Sequence, residues 1–388
     1  MSTDTFAISP ADSSSPETAD ALDATPVHAD VVDSSGVVDS EPLAPEIVIV
    51  QTQPLPPVER TEDDATTQAA ETDASMDEGA IAVPAADPLP QPREPRIIAM
   101  INQKGGVGKT TSTVNLGAGL SYLGYRVLLI DLDPQAHMTL HLGIDPATLE
   151  RSNYDLLTDD DVPAIDVVQR VTDNLFVLPA EVNLAGAETE MAPKLVTGRA
   201  QRVLKDKLAV LMKTGPSAPQ LGTRNSELET SAPDTRPFDY ILLDCPPSLG
   251  LLTINALTFA KEVFVPMQAH FLALQGLSKL LETVGHIRGG FNTDLQVTGV
   301  VLCMHEKQTL LAAEVAADLN GFLDGSRDQD VPWRHATVLT PSIRRNIKLA
   351  ESPSFGTTIF EYAPDSNGAE DYRKLAMSVV KQGVALGK

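Results

Sequence analysis

The chain has 388 residues with 53 acidic and 29 basic side chains, a net charge of −24, yet residues 1–95 alone hold 20 acids, 2 bases and 13 of the 29 prolines. Its two cysteines exclude a disulfide framework and the multi-cysteine zinc or iron–sulfur spacings. With no basic-then-apolar leader and no 18-residue apolar run, a soluble cytoplasmic protein is expected.

Residues 1–95 carry one aromatic, Phe6, and too little apolar surface to offset the entropy of ordering, so they read as a disordered acidic tail. Its one apolar cluster, Ile47 to Val50, reads as weak residual structure or a short partner-binding strand. From Arg96 the pattern becomes strand, loop, helix. Arg96 to Asn102 is an apolar run of buried-strand type, Thr113 to Leu123 reads as a helix, and Val127 to Ile130 is a second strand. Further apolar runs at 175–178, 240–243, 263–265 and 297–302 alternate with helical stretches near 199–213, 271–288 and 308–323. This alternation predicts a doubly wound α/β domain over residues 96–388, with a mostly parallel sheet and helices on both faces. Residues 215–237 are polar, hold four prolines and predict a surface insertion.

Lys104-Gly105-Gly106-Val107-Gly108-Lys109-Thr110-Thr111 follows the first strand and opens the first helix. A strict phosphate-loop pattern asks for glycine five residues before Gly108, where this chain has Gln103. The mechanical part survives: glycines let backbone N–H groups curl toward phosphate oxygens, and the helix N-terminus favours anions. Lys109 is placed for the β and γ phosphates of ATP and the Thr110 hydroxyl for Mg²⁺. Lys104 is an extra lysine that cradling one nucleotide does not need. Asp131 and Asp133 close the second strand in Asp131-Leu132-Asp133-Pro134-Gln135, and Asp244 closes another in Asp244-Cys245-Pro246-Pro247-Ser248. Carboxylates at the C-terminal ends of parallel strands lie where ligands bind in open α/β sheets.

Together with Leu249 to Leu257 and Arg345 to Ser354, these motifs resemble the ParA/Soj DNA-segregation ATPases, a deviant Walker A group, over residues 96 to 385. The resemblance implies ATP and Mg²⁺ as ligands, with Lys104 reaching across a homodimer to the partner's nucleotide. It makes Asp133 the carboxylate that positions the attacking water, and places Asp131 and Asp244 to organise Mg²⁺ and its waters, in direct or indirect contact. It further implies non-specific DNA binding through Arg344, Arg345 and Lys348, with Arg345 equally suited to hold structure near the nucleotide, and a ParB-like partner that triggers hydrolysis at the nucleoid. Where the family has Gly-Asn this chain has Ala136-His137, and Lys307-Gln308 stands at another basic family position. Related readings are an ATPase positioning a protein complex and a membrane-cycling ATPase like MinD. The latter needs a basic, bulky amphipathic C-terminus, and Met377 to Lys388 has two glycines and no aromatic.

Overall fold

The computed structural model describes residues 89–215, 222–223, 236–270, 273–306 and 310–388. The Ile47–Val50 run, most of the expected tail and most of the expected 215–237 insertion lie outside these residues, as do Lys307 and Gln308.

Among the described residues nine strands form one sheet in the order β5-β3-β4-β2-β6-β1-β7-β8-β9. They are β1 (Arg96–Met100), β2 (Val127–Asp131), β3 (Gln169–Arg170), β4 (Leu175–Leu178), β5 (Gly222–Thr223), β6 (Tyr240–Asp244), β7 (Glu262–Met267), β8 (Gln296–Leu302) and β9 (Thr337–Val338). All neighbours pair in parallel except β3 with β4. The helices are α1 (Lys109–Tyr122), α2 (His137–His141), α3 (Asn153–Thr158), α4 (Leu184–Met191), α5 (Val203–Leu208), α6 (Leu211–Thr214), α7 (Leu251–Phe259), α8 (Ala273–Gly290), α9 (Leu310–Asp324), α10 (Ile347–Glu351), α11 (Ile359–Tyr362) and α12 (Asn367–Ala385). The doubly wound expectation is met.

Why the central strands read as unbroken apolar runs is visible in the two cores. Alternate side chains point to opposite faces of a strand. Ile97, Ala99, Leu128, Ile130, Ile241 and Leu243 enter one core, under α4, α5, α7 and α8. Ile98, Met100, Val127, Leu129, Tyr240 and Leu242 enter the other, under α1 and α12. A strand with both faces covered has no place for a polar alternation.

The N-terminal edge of the sheet is locked by a buried ion pair. Arg96 and Glu262, each with 1% of its side chain exposed, meet at 2.8 Å. Arg96 also donates to Val379 O of α12 at 2.6 Å, and Thr298 Oγ1 donates to Glu262 at 2.7 Å. Burial alone would raise the Glu262 carboxyl; the Arg96 guanidinium outweighs it and holds it below its ordinary value. Such a pair is costly to break one-sidedly, because the survivor keeps its buried charge.

Two expectations shift. Helix α1 begins at Lys109, four residues before the expected start, because the phosphate-loop glycines deliver the chain straight into it. The expected helix over 199–213 is interrupted: Asn255 of α7 donates to Ala200 O at 2.7 Å and accepts from Leu204 N at 3.1 Å, which separates a 3-10 turn from α5. Two residues of the stretch before β1 contact the domain, with Tyr125 donating to Pro90 O at 2.8 Å and Lys261 paired with Glu94. Among the described residues no helix is long and apolar enough to cross a membrane.

Candidate nucleotide site

Strands β1, β6 and β2 end in register, with Met100 beside Asp244 and Asp244 beside Asp131. The loop from Asn102 to Gly108 therefore emerges next to two strand-end carboxylates. Gly106 (φ +71°) and Gly108 (φ +95°) adopt left-handed backbone that other residues rarely enter, and this curls the loop around the start of α1. No side chain caps that helix, so its first N–H groups are left for an anion. Lys109 is buried at its mouth with Nζ 3.4 Å from Lys104 O.

The two buried aspartates are held differently. Asp131 Oδ2 accepts from Thr139 N at 2.9 Å and Thr139 Oγ1 at 2.7 Å, and its Oδ1 accepts from Asp133 N at 3.2 Å. Asp244 Oδ1 accepts from Thr113 Oγ1 at 3.3 Å, while Oδ2 is buried with no hydrogen-bond partner. Burial pushes Asp131 up to about 7, against the pull of the Thr139 hydrogen bonds. Burial, then the charge of Asp131, push Asp244 up to about 8, with Thr110 and Lys109 opposing. Two such carboxylates side by side, one with an idle oxygen, form a site short of positive charge. Among the described residues no group of three or more His, Cys, Asp or Glu could hold a metal. An oxygen donor of this kind suits a hard divalent cation such as Mg²⁺.

Asp133 is half-buried at the start of the turn into α2, with Oδ1 accepting from Gln135 N at 3.0 Å. That turn closes through Ala136, which sits at φ 50°, ψ 29° and donates its N–H to Asp133 O at 2.9 Å. Left-handed backbone at a residue with a Cβ costs roughly 1–2 kcal/mol, so Ala136 holds this turn under strain. His137 is exposed, whereas His141 is buried and pushed down to about 4 by burial. Cys245 is a fully buried thiol within the core.

Beside the loop lies an apolar cleft of about 460 Å³ that the sequence did not reveal, lined by Gly108, Cys303, Met304, Ile343, Ile347 and Tyr372 among others. Its floor is a short polar chain in which Ser112 Oγ lies 3.0 Å from Tyr372 Oη and 3.4 Å from Cys303 Sγ.

The three basic residues expected at DNA are near this cleft, each paired with an acid distant from or beside it in sequence. Arg344 is committed to α12, with Nη2 at 2.7 Å from Asp371 and 2.8 Å from Glu370. Arg345 meets Glu306 at 3.0 Å and is 71% exposed. Lys348 pairs with Glu351 at 2.9 Å over the ring of Tyr362.

A family model described as an AAA domain matches residues 95–214 and 225–297. The sporulation initiation inhibitor protein Soj of Bacillus subtilis is 43% identical over 289 residues, spanning 74% of this chain and 99% of Soj. This chain belongs to the Soj/ParA family. The chromosome-partitioning ATPase Soj of Thermus thermophilus is 40% identical over 285 residues, spanning 74% of this chain and 95% of its own. Among solved structures, a cobyrinic acid a,c-diamide synthase from Mycobacterium smegmatis with bound ADP and magnesium superposes with a TM-score of 0.56 at 32% identity, covering 76% of this chain and 97% of that one. This ParA-family chain thus keeps the fold that positions the loop and the strand-end aspartates, with an alanine in the strained turn after Asp133.

Proposed function

We propose that this protein is an Mg²⁺-dependent ATPase of DNA partitioning, in which ATP closes a sandwich homodimer that holds DNA without sequence preference until a ParB-like partner triggers hydrolysis. Membership of the Soj/ParA family and the solved relative with ADP and magnesium support the ligands. The observation that carries the switch is Lys104, an exposed loop lysine whose ammonium lies against His270 of the segment after β7.

In this reading the curled loop, the N-terminus of α1 and Lys109 bind the phosphates, and the apolar cleft beside Gly108 takes the base. The Thr110 hydroxyl and the idle oxygen of Asp244 hold Mg²⁺, directly or through water. Bound Mg²⁺ neutralises phosphate charge. Asp131, with both oxygens occupied by N–H and O–H donors, fixes the turn that presents Asp133, and Asp133 orients the attacking water. Phosphoryl transfer through a loose transition state needs this positioning and charge more than covalent chemistry.

Because Lys104 contacts γ-phosphate only across the interface, nucleotide state selects oligomeric state. Arg345 and Lys348 exchange exposed carboxylate partners for DNA phosphates, a trade that costs little since exposed pairs contribute about 0–1 kcal/mol. Arg344 is held by two acids and serves the fold.

Light scattering with ATP under non-hydrolysing conditions tests the switch. Wild type is expected to double its mass and Lys104→Ala to remain monomeric while still binding ATP. A Lys104→Ala protein that dimerises normally overturns the assignment.

A further inference from the structure

We propose that His270 is a positioning residue that parks Lys104 on its own subunit, so that Lys104 must leave His270 before it can serve the partner's nucleotide. The proposal rests on the reading of Lys104 as the cross-subunit lysine.

Lys104 Nζ lies 2.6 Å from His270 Nε2. An ammonium has three donors and no acceptor, so the imidazole must offer a lone pair at Nε2 and carry its proton on Nδ1. Among the described residues, the end of β7 and the residues that follow it meet the phosphate loop through three side-chain contacts. Asn102 Nδ2 donates to Pro266 O at 2.8 Å and Gln268 Nε2 donates to Gly106 O at 3.2 Å, with the Lys104–His270 contact as the third. Asn102 Oδ1 accepts the Lys104 N–H at 3.0 Å, so Asn102 fixes the backbone of Lys104 while His270 holds its side chain.

The hold is of a particular strength. No carboxylate pairs with Lys104 among the described residues; its acceptor is a neutral ring in a solvent-accessible position. A neutral acceptor in contact with water retains a lysine without trapping it, whereas a carboxylate would add charge. Each dimer releases two such contacts, so the strength of the parking contact enters the dimerisation equilibrium twice.

The test is the concentration at which the dimer forms with ATP under non-hydrolysing conditions, measured for wild type, His270→Ala, His270→Gln and His270→Glu, with Lys104→Ala alongside. Loss of the acceptor in His270→Ala is expected to lower that concentration by about 3- to 10-fold, a modest return for two exposed hydrogen bonds. His270→Glu is expected to raise it several-fold, and His270→Gln, which keeps a neutral acceptor, to stay near wild type. Shifts of opposite sign for Ala and Glu are what a structural role cannot produce, since local damage moves both the same way. If Ala and Glu match wild type, or shift together, while Lys104→Ala stays monomeric, the parking role is overturned and the cross-subunit role stands. If Lys104→Ala dimerises like wild type, both are overturned.

Discussion

Asp244→Asn should stabilise the nucleotide-free protein at alkaline pH while weakening its response to Mg²⁺ and ATP. The wild-type carboxyl titrates near 8 when folded, against an ordinary value of 3.8, with burial as the main cause and Asp131 second. A carboxyl whose folded value is raised contributes its full stability below the unfolded value and loses it as pH climbs through the folded one. The nucleotide-free wild type therefore weakens progressively between about pH 4 and pH 8. At about 1.4 kcal/mol per pH unit the ceiling approaches 6 kcal/mol. The neighbouring Asp131 shares that penalty and local relaxation softens it, so a gain of about 2 kcal/mol for the asparagine variant at pH 8.5 is a reasonable expectation. Urea unfolding of both proteins at pH 5.5 and pH 8.5 reads it directly. The variant should lose less stability between the two conditions, with some slope left from Asp131, which itself titrates near 7. Adding Mg²⁺ and ATP should stabilise wild type at pH 8.5 by more than it stabilises the variant, which keeps the phosphate loop but loses one Mg²⁺ contact. An asparagine variant that is less stable at pH 8.5, or that keeps the full wild-type slope, would refute the buried-charge reasoning.

Other perturbations follow from the same geometry. Asp133→Ala should keep ATP-dependent dimerisation and lower turnover by roughly 100-fold or more, as loss of a group that positions the attacking water implies; a steady-state phosphate assay beside light scattering checks both halves. Ala136→Gly relieves the left-handed strain at φ 50° and should raise stability by up to about 1 kcal/mol, less the entropy that glycine adds to the unfolded chain, as read by the urea midpoint. Glu262→Gln leaves Arg96 buried without its counter-charge and should cost about 3–5 kcal/mol in the same measurement; a neutral effect would mean that water reaches the pair.

The sheet and the phosphate loop were legible because their signals are local. Runs such as Val127 to Asp131 and Tyr240 to Asp244 are apolar wherever both faces are covered, and the glycines and lysines of 104–111 act within one loop. What sequence left hidden depends on distant pairs. Asp131 and Asp244 looked alike as strand-end acids, and only Thr139, eight residues beyond the end of β2, separates the occupied carboxylate from the one with an idle oxygen. That Arg344, alone of the three basic residues at 344–348, is tied to two acids was hidden because Glu370 and Asp371 come from α12. The apolar cleft joins the start of α1 to residues 303–304 and 343–350, segments that no periodicity connects.

The most direct measurement is non-specific DNA binding by wild type and Lys104→Ala, each with ADP and with ATP under conditions that suppress turnover. Binding by wild type with ATP alone is expected, with the other three combinations weak at the same salt concentration. Equal DNA affinity in ADP and ATP, or full ATP-dependent binding by Lys104→Ala, would contradict a switch that runs from nucleotide through dimer to DNA.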